Sequence, residues 1–256
     1  MTEAAEIRVH LQTPAWAIAA PLTVPAEPAT LEAWLPFLQA LASQLSGAAN
    51  DAATAAGRPV SCAKGCGACR RQLVGISLVE ARALAQLVAA MPQPRRDEIR
   101  RRFAAALARL NESEVLSRDC ADPDPAFPLA ELPQQRLAAA WFSLQIACPF
   151  LEDESCGIYQ DRPLVCREHQ VTSSAAACSR MFREPVDRIE QPVRLGAALA
   201  RTAAQVAGVS TSTIPLLLSL DLSPEVDKAL AQPRDPCIML ETLLGEIGEW
   251  RIEPAP

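Results

Sequence analysis

Nine cysteines are spread over 256 residues, and most of them fall in two groups. The first is Cys62, Cys66 and Cys69 in SCAKGCGACRR, a C-x3-C-x2-C spacing. The second is Cys148, Cys156 and Cys166 in ACPFLEDESCGIYQDRPLVCREH, with Cys178 a little downstream. Thiolates packed this closely repel one another unless a cation balances them, and iron and zinc are the cations that soft thiolate ligands suit. Gly65 and Gly67 let the first loop take positive φ angles and fold around an ion. Pro149, Gly157 and Pro163 keep the second segment irregular, which suits ligand loops better than a helix face. Lys64, Arg70 and Arg71 are expected to lower the thiol pKa values and offset an anionic site. Two other accounts compete. Ordinary buried thiols are common in cores, but that account suits single cysteines rather than three within eight residues. A disulfide network needs an oxidising compartment, and the cysteine count is odd.

Cys120 and Cys237 stand apart from both groups and read as bystanders. Of the two histidines, His10 reads as exposed in an N-terminal arm. His169 lies three residues after Cys166, so the pair could share one ion, or His169 could orient a ligand from behind. The second role is the one favoured here. Glu152, Asp153 and Glu154 read as a solvated loop, because carboxylates compete poorly for a thiolate-rich site. By position and charge, Tyr159, Arg162 and Arg167 are expected to shape or neutralise the site.

An iron–sulfur cluster takes four cysteines in the common case. The triad supplies three, and Cys166 or Cys148 would complete a 4Fe–4S site, leaving the others for a second site or a reducible pair. The alternative is structural zinc, a closed site of four cysteines or of three and a histidine that joins the two groups. Familiar zinc fingers use two separated C-x2-C pairs, or one pair with two histidines, so the triad spacing tilts the choice towards iron. The same spacing occurs in radical S-adenosylmethionine enzymes. Those resemble α/β barrels and carry an aromatic residue where this chain has Ala68, which sets them aside. There is no glycine-rich nucleotide loop, no G-x4-G-K phosphate loop and no H-E-x-x-H motif.

The elements that must position these residues read as helices. Leu31, Trp34, Leu35, Leu38, Leu41 and Leu45 share one helical face, with Thr30 as cap and Gly47 as stop. Ser77 and Glu80 form a capping box ahead of Leu84, Leu87, Val88 and Met91. Ile99, Phe103, Leu107 and Leu110 mark the next helix. Leu137, Trp141 and Leu144 mark another, and Val193, Leu195, Leu199 and Val206 one that ends at Gly208. Ser223 and Pro224 open a short helix, and Leu240, Leu243, Leu244, Ile247 and Trp250 mark the last. Convincing period-two strands are scarce, apart from a short extended piece near Val186–Ile189. The proline-rich stretch 119–133 reads as a connector that cannot continue a helix. The expected fold is therefore mostly α, a helical domain with irregular cysteine-bearing loops around a metal site. Residues 1–28 would be a loose arm and 29–256 a single helical domain, with the cysteine-cluster metal-binding region at 58–182.

Net charge is -6, and no basic stripe of the kind nucleic acids require is present. Arg95, Arg96, Arg100, Arg101 and Arg102 share a helix with Asp97 and Glu98 and read as a solvated face. The N-terminus lacks the positive region of a secretory signal. No window supplies the roughly 18 apolar residues that read as a membrane span. A soluble, cytoplasmic protein is expected, where thiols stay reduced, with a metal ion or cluster as partner and neither nucleic acid nor membrane.

Taken together, CAKGCGAC and CPFLEDESCGIYQDRPLVCR resemble the YkgJ-type cysteine-cluster proteins, over roughly Cys62 to Cys178. The more specific part is Cys148, Pro149, Phe150 and Leu151, then Cys156, Ile158 and Tyr159, then Arg162 and Pro163, then Cys166 and Arg167. The resemblance implies a zinc- or iron-chelating domain, often with an iron–sulfur cluster. The family often ends the first triad with a double cysteine, where this chain has Arg70. Flagellin lysine-N-methylases carry a similar cluster, so an iron–sulfur-dependent protein lysine methylase is a third implied reading. Those proteins are larger, and shared metal chemistry alone does not carry an activity across.

Overall fold

A computed structural model of the chain describes residues 4–12, 16–117, 125–247 and 249–254. Cys120 lies outside the described residues. Among the described residues the fold is mostly α, as the periodicities predict, with three small sheets.

The N-terminal segment departs from the loose arm expected for 1–28. Strands β1 (Ala4–Gln12) and β2 (Ala17–Pro25) form an antiparallel hairpin. β1 also pairs with β7 (Glu249–Pro254), giving the order β2-β1-β7. The strand signal was present in the alternation Glu6-Ile7-Arg8-Val9, which leaves Glu6 and Arg8 exposed and buries Val9. Pro21 and Pro25 obscure it. They sit on an edge strand, where proline is tolerated. His10 is on β1 and half-buried rather than exposed.

A 3-10 turn, Leu31–Trp34, leads into α1 (Leu35–Ala55). Gly47 does not stop this helix, which runs on for two more turns until Gly57 takes φ +74°. Short strand β3 (Gly75–Ser77) precedes α2 (Leu78–Ala90), followed by α3 (Gln93–Glu112) and α4 (Pro133–Ser143). The described end of the connector, 125–132, contains no helix. A minimal hairpin, β4 (Leu151–Glu152) and β5 (Ser155–Cys156), precedes α5 (Leu164–Glu168) and α6 (Ala175–Cys178). Then come α7 (Leu195–Ala207), β6 (Thr213–Pro215) paired with β3, α8 (Pro224–Leu230) and α9 (Pro236–Gly245). α9 stops before Trp250, which belongs to β7.

The main core gathers Val9, Leu22 and Val24 from the sheet with Trp34, Leu38, Leu41 and Leu45 beneath it. Leu195 and Leu199 of α7 and Leu243 and Leu244 of α9 complete it. A second core joins Ile76, Leu84, Val88, Ile99 and Phe103 to Phe150 and Ile158, and so seats the second cysteine segment on α2 and α3. Phe103 and Phe150 meet edge to face at 5.4 Å, a preferred aromatic geometry.

Candidate metal centre

Each cysteine loop is anchored at identifiable points. At the start of the triad loop, the Ser61 N–H donates to the Val171 carbonyl at 3.0 Å. Val171 bridges to Arg188, so the extended piece expected near Val186–Ile189 does occur, as an isolated bridge. Inside the loop, Gly65 adopts φ +87°. Gly67 allows the loop to meet the tip of the β4–β5 hairpin. A Cβ there would lie 2.9 Å from the Glu154 carbonyl oxygen and 3.0 Å from its Cα.

The hairpin turn has positive φ at both Asp153 and Glu154, the pattern of the tight turns that suit two-residue hairpins. Two of the three acids do more than face water, while Asp153 is exposed as expected. Glu154 accepts two bonds from Arg71, at 2.7 and 3.1 Å. Glu152 pairs with Arg95 at 3.3 Å. Arg102, from the arginine run of α3, donates to the Leu151 carbonyl at 3.3 Å. A backbone bond also links the two cysteine groups directly, because the Cys148 N–H donates to the Arg70 carbonyl at 2.9 Å.

The helix carrying Cys166 is clamped by two carboxylates whose link to it is not legible in the sequence. Glu80 completes the expected capping box with Ser77 and also accepts from the Leu164 N–H at 2.7 Å, at the start of α5. Glu168 accepts from the Gly196 N–H at 2.9 Å. At Gly196 a Cβ would lie 3.2 Å from Val165 N, so glycine lets α7 press against α5. Arg167 is 7 % exposed and turns towards the frame, donating to the Arg162 carbonyl at 3.1 Å and Ser43 Oγ at 3.3 Å. Its role is architectural. Arg162 stacks over the Tyr159 ring at 3.7 Å, and both line the thiol cavity.

That cavity, about 110 Å³, is lined by Cys62, Cys66, Cys69, Cys166 and Cys178 together with Arg70 and His169. Cys148 and Cys156 do not line it; both are half-buried against the second core, as is Val165, and Cys156 lines a neighbouring cavity with Cys66 and Arg70. The described cysteines are all free thiols; Cys178 is buried and Cys237 is exposed on α9, away from these loops. Among the described residues, no three His, Cys, Asp or Glu side chains stand ready at the spacing of a metal-binding group. The donors are gathered but not drawn in. Their chemistry still fits a thiophilic metal: reduced thiols in two anchored loops, and a buried His169 Nε2 with no hydrogen-bond partner.

Residues 61–182 match the family named CxxCxxCC, described as a "putative zinc- or iron-chelating domain". No curated protein and no solved structure matches the chain. The family name ends in a double cysteine; in the matched segment Arg70 follows Cys69.

Electrostatics in the domain run opposite to the expected activation of the thiols. Burial pushes Cys148 up to about 11 and Cys166 up to about 12. It also raises Cys62, Cys69 and Cys178. Desolvation of the thiolate outweighs the nearby cations. Arg70 lowers several of these values but not enough, and Arg71 is engaged by Glu154. Burial pulls Arg70 itself down, yet Cys166, Cys69, Cys156 and Cys148 more than offset this and raise it. His169 is pushed down to about 4 by burial and then by Arg188 and Arg70, which keeps its imidazole neutral at pH 7. A neutral imidazole is the form that binds metal.

Among the described residues, no helix is long and apolar enough to cross a membrane.

Proposed function

We propose that this protein is a metal-binding protein whose CxxCxxCC domain holds an iron–sulfur cluster through its clustered cysteines. The observation that carries this reading is that thiols as far apart in sequence as Cys69 and Cys166 line one small cavity, on loops tied to each other by the Cys148–Arg70 backbone bond. Cysteine ligands with the half-buried Arg70 cation among them suit the dispersed negative charge of a cluster. When bound, the cluster would supply one-electron chemistry. The chain would supply ligands, hold Arg70 against their charge and shield the site with Tyr159 and Arg162. Structural zinc is the second reading, favoured by the neutral His169 beside Cys166, since three cysteines and a histidine form a common closed zinc set.

The deciding experiment is anaerobic purification with measurement of iron, acid-labile sulfide and zinc alongside the visible spectrum. Iron and sulfide in matching amounts, with broad absorption near the violet, support the cluster. Stoichiometric zinc without colour replaces it with the structural site.

A further inference from the structure

Building on the metal-centre reading, we propose that the domain holds two centres rather than one. Cys62, Cys66, Cys69 and Cys178 form one four-donor set. Cys148, Cys156, Cys166 and His169 form a second, and Arg70 stands between them.

The first set is complete in cysteine alone. Its four residues line one cavity, three from the triad loop and Cys178 from α6. The thiol of Cys178 is within electrostatic reach of Cys69, Cys62 and Cys66. The second set is assembled differently. Cys148 and Cys156 are brought together by the β4–β5 hairpin. The Leu151 N–H donates to the Cys148 carbonyl at 2.8 Å, and Leu151 pairs in register with Cys156. Both cysteines pack with Val165, the neighbour of Cys166, against the second core. Cys166 in turn lies within reach of Cys148 and Cys156. Neither Cys148 nor Cys156 lines the cavity of the first set, whereas Cys166 and His169 do, and Cys156 shares a neighbouring cavity with Cys66 and Arg70, so the two sets adjoin.

Three thiols leave a tetrahedral site one donor short. His169 is three residues beyond Cys166, with Nε2 buried and unpartnered. A buried imidazole nitrogen without a partner is costly, and a metal would satisfy it. The double cysteine of the family name is replaced here by Cys69 and Arg70. The chain thus lacks a thiol at 70 and offers an imidazole at 169, facing the same cavity. Arg70 reaches Cys69 of the first set and Cys148, Cys156 and Cys166 of the second. A cation there screens two anionic sites from each other.

The test uses the full chain, stripped of metal without oxygen and titrated with cadmium, read by elemental analysis and cadmium nuclear resonance. Two equivalents are expected, with two resonances, one typical of four sulfurs and one shifted by a nitrogen ligand. Cys178→Ser should remove only the first and Cys156→Ser only the second. His169→Ala should weaken the second at least tenfold and spare the first. A single equivalent, loss of both resonances from one substitution, or an unmoved second resonance in His169→Ala overturns the proposal. No cadmium uptake at all overturns the metal-centre reading itself. If a variant does not fold, the count and the two shifts of the unaltered chain decide.

Discussion

The helical frame and the cysteine loops are held by different forces. In the frame, Trp34, Leu38, Leu199 and Leu230 are 0 % exposed and lock the sheet, α1, α7 and α8 through apolar burial. The cysteine loops have short elements and positive-φ turns, and rely on single backbone bonds, exposed ion pairs and one apolar seat around Phe150. A frame of the first kind folds without metal. A segment of the second kind gains its final order from what it binds, because ligand binding to a poorly preformed site appears as folding free energy.

The sharpest way to break this contrast is Cys66→Ser. It is expected to remove the metal of the first centre and spare the second, while leaving the metal-free unfolding midpoint unchanged; Cys237→Ser should alter neither. Elemental analysis and denaturant unfolding together would sink the assignment of ligands if the two variants behaved alike. Trp34→Ala attacks the other region and should cost about 3–5 kcal/mol in unfolding free energy, with metal per folded chain unchanged. Loss of metal at equal folded fraction would show that the frame and the loops are not separable.

Glu80→Ala probes the join between the regions. Removing the carboxylate leaves the Ser77 and Leu164 N–H groups without their partners. Urea titration should show a loss of about 1–3 kcal/mol, and metal affinity should weaken because α5 carries Cys166. A pH series addresses the thiols alone. Cys148 at about 11 and Cys166 at about 12 are protonated at neutral pH, so metal must displace protons. Affinity for cadmium or zinc should therefore rise with pH, roughly tenfold per unit for each proton released. A flat profile between pH 6 and 8 would mean the thiols are not the ligands. The smallest effect belongs to the frame. Gly47 lies inside α1, and a Cβ added there would meet nothing within 4 Å, so Gly47→Ala should stabilise by about 0.5–1 kcal/mol without changing metal content.

Much of the frame was legible because helices signal themselves locally. The Ser77–Glu80 capping box and the arrest of α7 at Gly208 follow from side-chain and backbone preferences within a few residues. The sheet was missed because Pro21 and Pro25 mimic a linker, and only pairing with β1 makes β2 an edge strand. Gly47 reads as a stop in the sequence, but apolar packing of α1 outweighs the modest helix penalty of one glycine.

For the site, residue type and spacing alone determined the chemistry: thiols at C-x3-C-x2-C and in a proline-broken segment, suited to a soft metal. Tertiary structure decided what spacing could not. It brought Cys178 to the triad, buried the thiols deeply enough to raise their pKa values, and aimed Glu80 at α5. It also left His169 Nε2 buried without a partner and put Arg70 within reach of both cysteine groups. Donor identity is a property of single side chains, whereas convergence, desolvation and charge depend on contacts between segments far apart in the chain.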